Sequence, residues 1–175
     1  MKKTLKEVII ILVISTIAGF TANALSPKGI GLVGDYSERF AIDSASAKTG
    51  DKPAQKQRTK EGFIKPVNIT ADDAKKLFDE GMLFIDGRDA VEYSQGHIKG
   101  AINIPYKEFI ALAPEQKAAR MKDIPKDRKI VSYCGGGDCE ISIDNAYDFA
   151  RIGYEDVSIY LGGLLEWKAK GYPTN

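Results

Sequence analysis

An alternation that begins at Val67 restricts this chain more than any other feature. Short runs of β-branched and aromatic residues recur, separated by stretches with helical periodicity. Val67-Asn68-Ile69 reads as a strand. Thr70 with Asp73 forms a capping-box pattern ahead of a helix over 71–80, which Gly81 ends. Leu83-Phe84-Ile85 is a buried strand ending at Asp86, and 90–95 is a short helix stopped by Gly96. A strand over 101–104 is cut off by Pro105, and a helix over 113–121 is followed by Pro125. Residues 129–133 have the β-branched content of a central strand. A helix over 140–151 ends at Gly153, a last strand covers 157–160, and a last helix covers 163–170. Strands alternating with helices imply an α/β fold with a parallel sheet and helices on both faces. Sites in such sheets lie at the carboxyl ends of the strands, which points to Asp86 and Cys134.

Cys134 opens the run Cys134-Gly135-Gly136-Gly137-Asp138-Cys139-Glu140, set between a strand and a helix N-terminus. Three glycines let the backbone take positive φ and turn its N–H groups inward. Inward N–H groups and the positive end of a helix make an anion cradle. A cysteine there is expected to be largely thiolate, the form that attacks. The plainer alternative is a buried core cysteine beside glycines that serve only a tight turn. Cys134 and Cys139 are the two cysteines of the chain, too few for a disulfide scaffold at this length. Their closeness implies shared chemistry in one loop.

Several motifs in order resemble a known family. Asp86-Gly87-Arg88-Asp89, Glu92-Tyr93, and the run from Gly96-His97 through Ile104-Pro105 are similar to the N-terminal signature of rhodaneses. Tyr133-Cys134 with its loop, Gly153-Tyr154, Val157 and Leu161-Gly162-Gly163-Leu164-Leu165-Glu166-Trp167 resemble that family's second half. The resemblance covers about 67–173. It implies a single rhodanese-like domain, a three-layer fold with a five-stranded parallel sheet. It also implies a sulfur-transfer cycle in which Cys134 takes a sulfane sulfur, becomes a persulfide, and hands the sulfur to an acceptor. The partners so implied are a small sulfane-sulfur donor and a thiol acceptor, which can itself be a protein.

One position departs from the pattern. Many active rhodaneses carry an arginine five residues after the nucleophile, and here Cys139 stands there. Asp138 and Glu140 add negative charge at the rim, which suits a helix N-terminus but repels an anionic donor such as thiosulfate. The main expectation is a sulfurtransferase or persulfide carrier. The alternatives are a thiol–disulfide redox element through Cys134 and Cys139, and an inactive rhodanese module that binds a partner. A related phosphatase or arsenate reductase ranks last, for want of the loop arginine. Cys139 itself is read either as a resolving or pairing thiol or as a core residue.

Other residues have structural expectations. His97 is the only histidine, so a metal site built on several is excluded, and its position at a turn gives it a loop-bonding role. Asp86 and Arg88 are expected as an ion pair that fixes the loop after their strand and shapes the pocket. Trp167 and Tyr160 read as a core and an edge aromatic. No phosphate-binding loop or CxxC pair occurs, and no cofactor or metal is called for. With 25 basic and 24 acidic residues the net charge is +1, which gives no reason to expect nucleic acid as a partner.

The N-terminus has its own logic. Lys2, Lys3 and Lys6 precede an apolar stretch over 8–25. That stretch is just long enough to cross a bilayer as an anchor helix. Ala22-Asn23-Ala24 is also an A-x-A cleavage pattern, so a signal peptide within 1–25 is the alternative. The leading lysines keep the N-terminus cytoplasmic in either case and put the rest of the chain on the periplasmic side, anchored or secreted. Residues 26–66 are expected as a juxtamembrane segment and linker, with 44–62 a disordered tether because it has no large apolar residue. The rhodanese-like domain is then 67–175.

Overall fold

Residues 2–25, 57–137 and 139–175 are described in the computed structural model. The chain divides into two units, Met1–Tyr36 and Ser37–Asn175. The expected juxtamembrane segment and most of the expected tether lie outside the described residues, as does Asp138.

In the first unit Lys2–Leu25 is one helix, α1. It begins before the apolar run because Lys and Leu are good helix formers. Its large apolar side chains from Val8 to Phe20 are exposed. Lys6–Asn23 is long and apolar enough to cross a membrane, a property that signal sequences and anchors share. Two hydroxyls interrupt the run without leaving a polar group idle. Thr16 donates to the Leu12 carbonyl and Thr21 to the Ile17 carbonyl, each at 2.8 Å.

In the second unit the elements follow in the order β1 (Val67–Asn68), α2 (Ala71–Asp79), β2 (Leu83–Asp86), α3 (Ala90–Ser94), β3 (Ile102–Asn103), α4 (Tyr106–Phe109), α5 (Pro114–Arg120), β4 (Ile130–Tyr133), α6 (Ile141–Arg151), β5 (Val157–Tyr160) and α7 (Gly163–Ala169). The capping box at α2 forms as expected: Thr70 Oγ1 accepts from Asp73 N at 3.2 Å, and Asp73 Oδ2 accepts from Thr70 N at 3.4 Å. The five strands are ordered β1-β5-β4-β2-β3 and every pairing is parallel. β4 is therefore central. Its register sets Tyr133 beside Asp86 on one side and Tyr160 on the other. Cys134 leaves the middle of the sheet at its carboxyl edge.

Side chains alternate across a strand, and β4 shows the consequence. Ile130 packs on one face with Ile85, Ile159 and the α6 residues Ile143, Ala146 and Phe149. Val131 and Tyr133 pack on the other with Phe84, Tyr160 and the α7 residues Leu164 and Trp167. Each large apolar side chain so buried stabilises the fold by about 1.5–3 kcal/mol. Tyr160 corrects one expectation: it is no edge aromatic but fully buried, because β5 lies between β1 and β4.

Residues 57–62 also depart from the expected tether. Thr59 N donates to Phe63 O at 2.8 Å and Lys65 N to Gln57 O at 2.8 Å, closing a turn with an Arg58–Ile64 bridge. The burial that the tether lacks comes from just beyond it. Phe63 meets Tyr147 of α6 edge-on at 6.1 Å, and Arg58 pairs with Glu155 at 2.8 Å.

Candidate functional site

The site is assembled from the loops after β2 and β4, with α7 as a wall. Cys134 follows β4 directly and is fully buried, while Cys139 is half-buried. The two are joined as a disulfide with Cα atoms 6.6 Å apart, and no described cysteine is free. Cys134 Sγ also lies 3.1 Å from the Cys139 carbonyl and 3.8 Å from Ser142 Oγ. Ser142 is fully buried in the first turn of α6. Its hydroxyl can rotate to donate toward a thiolate at Cys134.

Glycines are required here by two different constraints. Gly136 and Gly137 have φ of 99° and 67°, which only glycine adopts without strain. Gly136 is in addition pressed against the start of α7: a Cβ on it would come within 2.3 Å of the Gly162 carbonyl. Gly163, at φ 55°, would collide with the Cys134 carbonyl at 2.5 Å. Through these gaps Leu164 N donates to Cys134 O and Leu165 N to Gly135 O, both at 2.9 Å. Among the described residues no carbonyl accepts from the amides of Gly135, Gly136 or Gly137, and the Gly136 nitrogen lies 2.5 Å from where a Cβ on Gly163 would stand. Glu140 is exposed at the N-cap of α6 and makes no side-chain cap bond.

Asp86 and Arg88 are the expected ion pair. Arg88 Nη2 lies 2.7 Å from Asp86 Oδ2, and Arg88 Nε lies 3.1 Å from Asp86 Oδ1. The Arg88 backbone N–H donates to the same Oδ1 at 2.9 Å, and Nη2 also donates to the Gly96 carbonyl at 2.8 Å. Burial works against the guanidinium charge, yet the Asp86 carboxylate holds the Arg88 pKa above its ordinary value. The Arg88 side chain runs beside Gly135, with Cδ 3.8 Å from where a Cβ would stand. The pair thus fixes the loop and lines the site at once. Tyr133, next to the cysteine, is driven far above the ordinary phenol value by burial and then by Asp86. Its hydroxyl accepts from Ile98 N at 3.1 Å.

His97 is set apart from this chemistry. Its Nδ1 is 2.9 Å from the Tyr93 carbonyl, its ring stacks on Tyr93 at 3.8 Å, and its backbone pairs with Asn175. It bonds a loop, as its position at a turn implies. Among the described residues no cluster of His, Cys, Asp or Glu could hold a metal. Ser142 and the Gly162-Gly163 wall are the site residues that sequence reasoning missed. Ser142 carried a signal in hindsight, since it stands in the first turn of the helix that the cysteine loop enters.

A parallel α/β sheet with a cysteine loop at the carboxyl edge of its central strand defines the class. Residues 70–170 match the rhodanese-like domain family, and the chain belongs to it. It is 38% identical over 91 residues to the HTH-type transcriptional regulator Rv0324 of Mycobacterium tuberculosis, covering 52% of this chain and 36% of that protein. It is 40% identical over 109 residues to the tRNA uridine(34) hydroxylase of Cronobacter sakazakii, covering 62% of this chain and 29% of that one. The chain thus spans only about a third of the curated relatives it matches. Among solved structures, the BH2092 protein of Bacillus halodurans superposes with TM-score 0.54 at 25% identity, over 62% of this chain and 75% of that one. The Rhodanese-like domain of the Alr3790 protein of Anabaena sp superposes with TM-score 0.50 at 30% identity, over 62% and 77%. A single rhodanese-like domain whose two cysteines are paired fits a sulfur- or redox-related role.

Proposed function

We propose that this domain is a thiol–disulfide redox element in which Cys134 and Cys139 alternate between dithiol and disulfide. The observation that carries the reading is the pairing of the chain's two cysteines across one loop. Loss of two electrons from the dithiol forms the bond, and an external dithiol restores it. Equilibration of the full-length protein in dithiol–disulfide buffers, with alkylation of free thiols, tests this. Both cysteines should titrate together in one two-electron transition. Two thiols that stay free under oxidising buffer would sink the reading.

A second reading is favoured by the family and by the buried Ser142 hydroxyl 3.8 Å from Cys134 Sγ. In it the reduced domain is a sulfurtransferase-type carrier, with Cys134 in the catalytic role, Gly135 to Glu140 as its anion cradle, and Asp86, Arg88 and His97 in support. The donor is a small sulfane sulfur compound and the acceptor a thiol. A rhodanese-like fold is consistent with sulfurtransferases in general. Polysulfide treatment of the reduced protein separates the two readings: a mass gain of one sulfur on Cys134 supports the carrier, and disulfide with free sulfide supports the redox element.

The domain is proposed to work outside the cytoplasm, with 67–175 as the working part and α1 as its anchor or export signal. The lysines before the apolar run support that orientation, and an oxidising compartment is where such a pair closes. Protease protection of the C-terminal tail in spheroplasts would overturn it.

A further inference from the structure

We infer that the disulfide is opened from one side only: an incoming thiolate attacks Cys139 Sγ, and Cys134 Sγ departs as the thiolate. This direction presupposes the thiol–disulfide reading above and assigns its two sulfurs unequal tasks.

Access differs first. Cys134 is 0% exposed, whereas Cys139 is half-buried. A sulfur arriving from solvent meets Cys139, and thiol–disulfide exchange depends on which sulfur can be reached. The Cys134 side is also the anchored one. The backbone at Cys134 and Gly135 is tied to α7 by the Leu164 and Leu165 amides at 2.9 Å, so Cys134 is held in place. Cys139 lies beyond two glycines in the left-handed region.

Stabilisation of the departing charge differs as well. The better leaving sulfur is the one whose thiolate is more stable. Cys134 Sγ is 3.8 Å from the buried Ser142 hydroxyl. An anion released at Cys134 therefore has a buried hydroxyl that can turn to donate to it. At the rim, Glu140 offers Cys139 a like charge instead.

The reaction balances as follows. A partner thiolate forms a bond to Cys139 Sγ while the Cys134–Cys139 bond breaks, and its electron pair stays on Cys134. The partner's second thiolate attacks its own sulfur in the mixed disulfide and releases Cys139, which takes up a proton. The partner dithiol is oxidised to a disulfide and this pair is reduced by two electrons. The partner class is thus a dithiol whose first sulfur becomes bound to Cys139.

The test uses the oxidised full-length protein in detergent. It is exposed briefly to glutathione, quenched in acid, and its freed thiols are alkylated before peptide mass spectrometry. Glutathione on Cys139 with the alkyl group on Cys134 is the expected result, and the reverse placement overturns the inference. Reaction of the two single variants with oxidised glutathione gives a second reading of the same asymmetry. Cys134→Ser should react about tenfold faster than Cys139→Ser, because it keeps the cysteine at the partly exposed position. Equal or inverted rates overturn the inference even if the adduct is too short-lived to map. Dithiothreitol separates the two levels: a disulfide that it cannot reduce defeats the redox reading itself, whereas one it reduces with glutathione on Cys134 defeats only the direction.

Discussion

Gly136 lies so close to Gly162 that it has no room for one more carbon: a Cβ on Gly136 would stand 2.3 Å from the Gly162 carbonyl. Gly136 also sits at φ 99°. Gly136→Ala therefore carries both a collision and left-handed strain, and should cost about 1–3 kcal/mol. Urea unfolding measures the loss. The same variant should loosen the cysteine loop from α7 and speed alkylation of Cys134 after reduction. An unchanged midpoint and unchanged alkylation would show that the contact is not tight.

The Asp86–Arg88 pair should respond asymmetrically. Asp86→Ala leaves the guanidinium buried without its partner, and a loss of about 3–5 kcal/mol is expected. Replacing both residues with apolar ones should recover part of that loss. A double-mutant cycle read by denaturant unfolding checks it, and a near-neutral Asp86→Ala would remove the pair from the list of structural anchors.

Ser142→Ala should leave stability nearly unchanged while lowering the reactivity of Cys134. The hydroxyl 3.8 Å from Sγ is worth about 1 kcal/mol to a thiolate, or roughly fivefold in alkylation rate at neutral pH. The comparison is made in a Cys139→Ser background so that one thiol is read. Ser142→Thr, which keeps the hydroxyl, should retain the faster rate.

Alkaline pH should unfold the domain through its buried phenols. Burial first, aided by nearby carboxylates, raises the pKa of Tyr133 and Tyr160 above the ordinary 10.0, and burial alone raises Tyr154. A group raised on folding contributes stability that is whole below its unfolded pKa and is lost as pH climbs toward its folded pKa. Stability should therefore be flat up to about pH 10 and fall above it. The phenolate absorbance of Tyr133, Tyr154 and Tyr160 should appear only with unfolding. Its appearance with the fold intact would contradict this burial.

Much of this was legible in the residues, where local chemistry and tertiary need agreed. Thr70 and Asp73 announced a helix start that forms as read. The β-branched run before Cys134 is the centre of the sheet because a strand flanked by strands must be apolar on both faces. Residues whose role comes from a distant element were not legible. Gly162 and Gly163 read as part of a family motif, and only the fold shows that they admit the cysteine loop. The turn at 57–65 is held by Tyr147, Arg151 and Glu155, far along the chain. The single-turn α4 has no capping side chain to mark its start, and Pro105 at its N-cap reads equally well as a strand stop.

The disulfide spans five positions inside one strand-to-helix connection. Closing so short a ring restrains the unfolded chain by about 2 kcal/mol, roughly half of what a bond between distant elements would. Opening the bond would therefore release one loop and leave the strand pairings of the sheet unbroken.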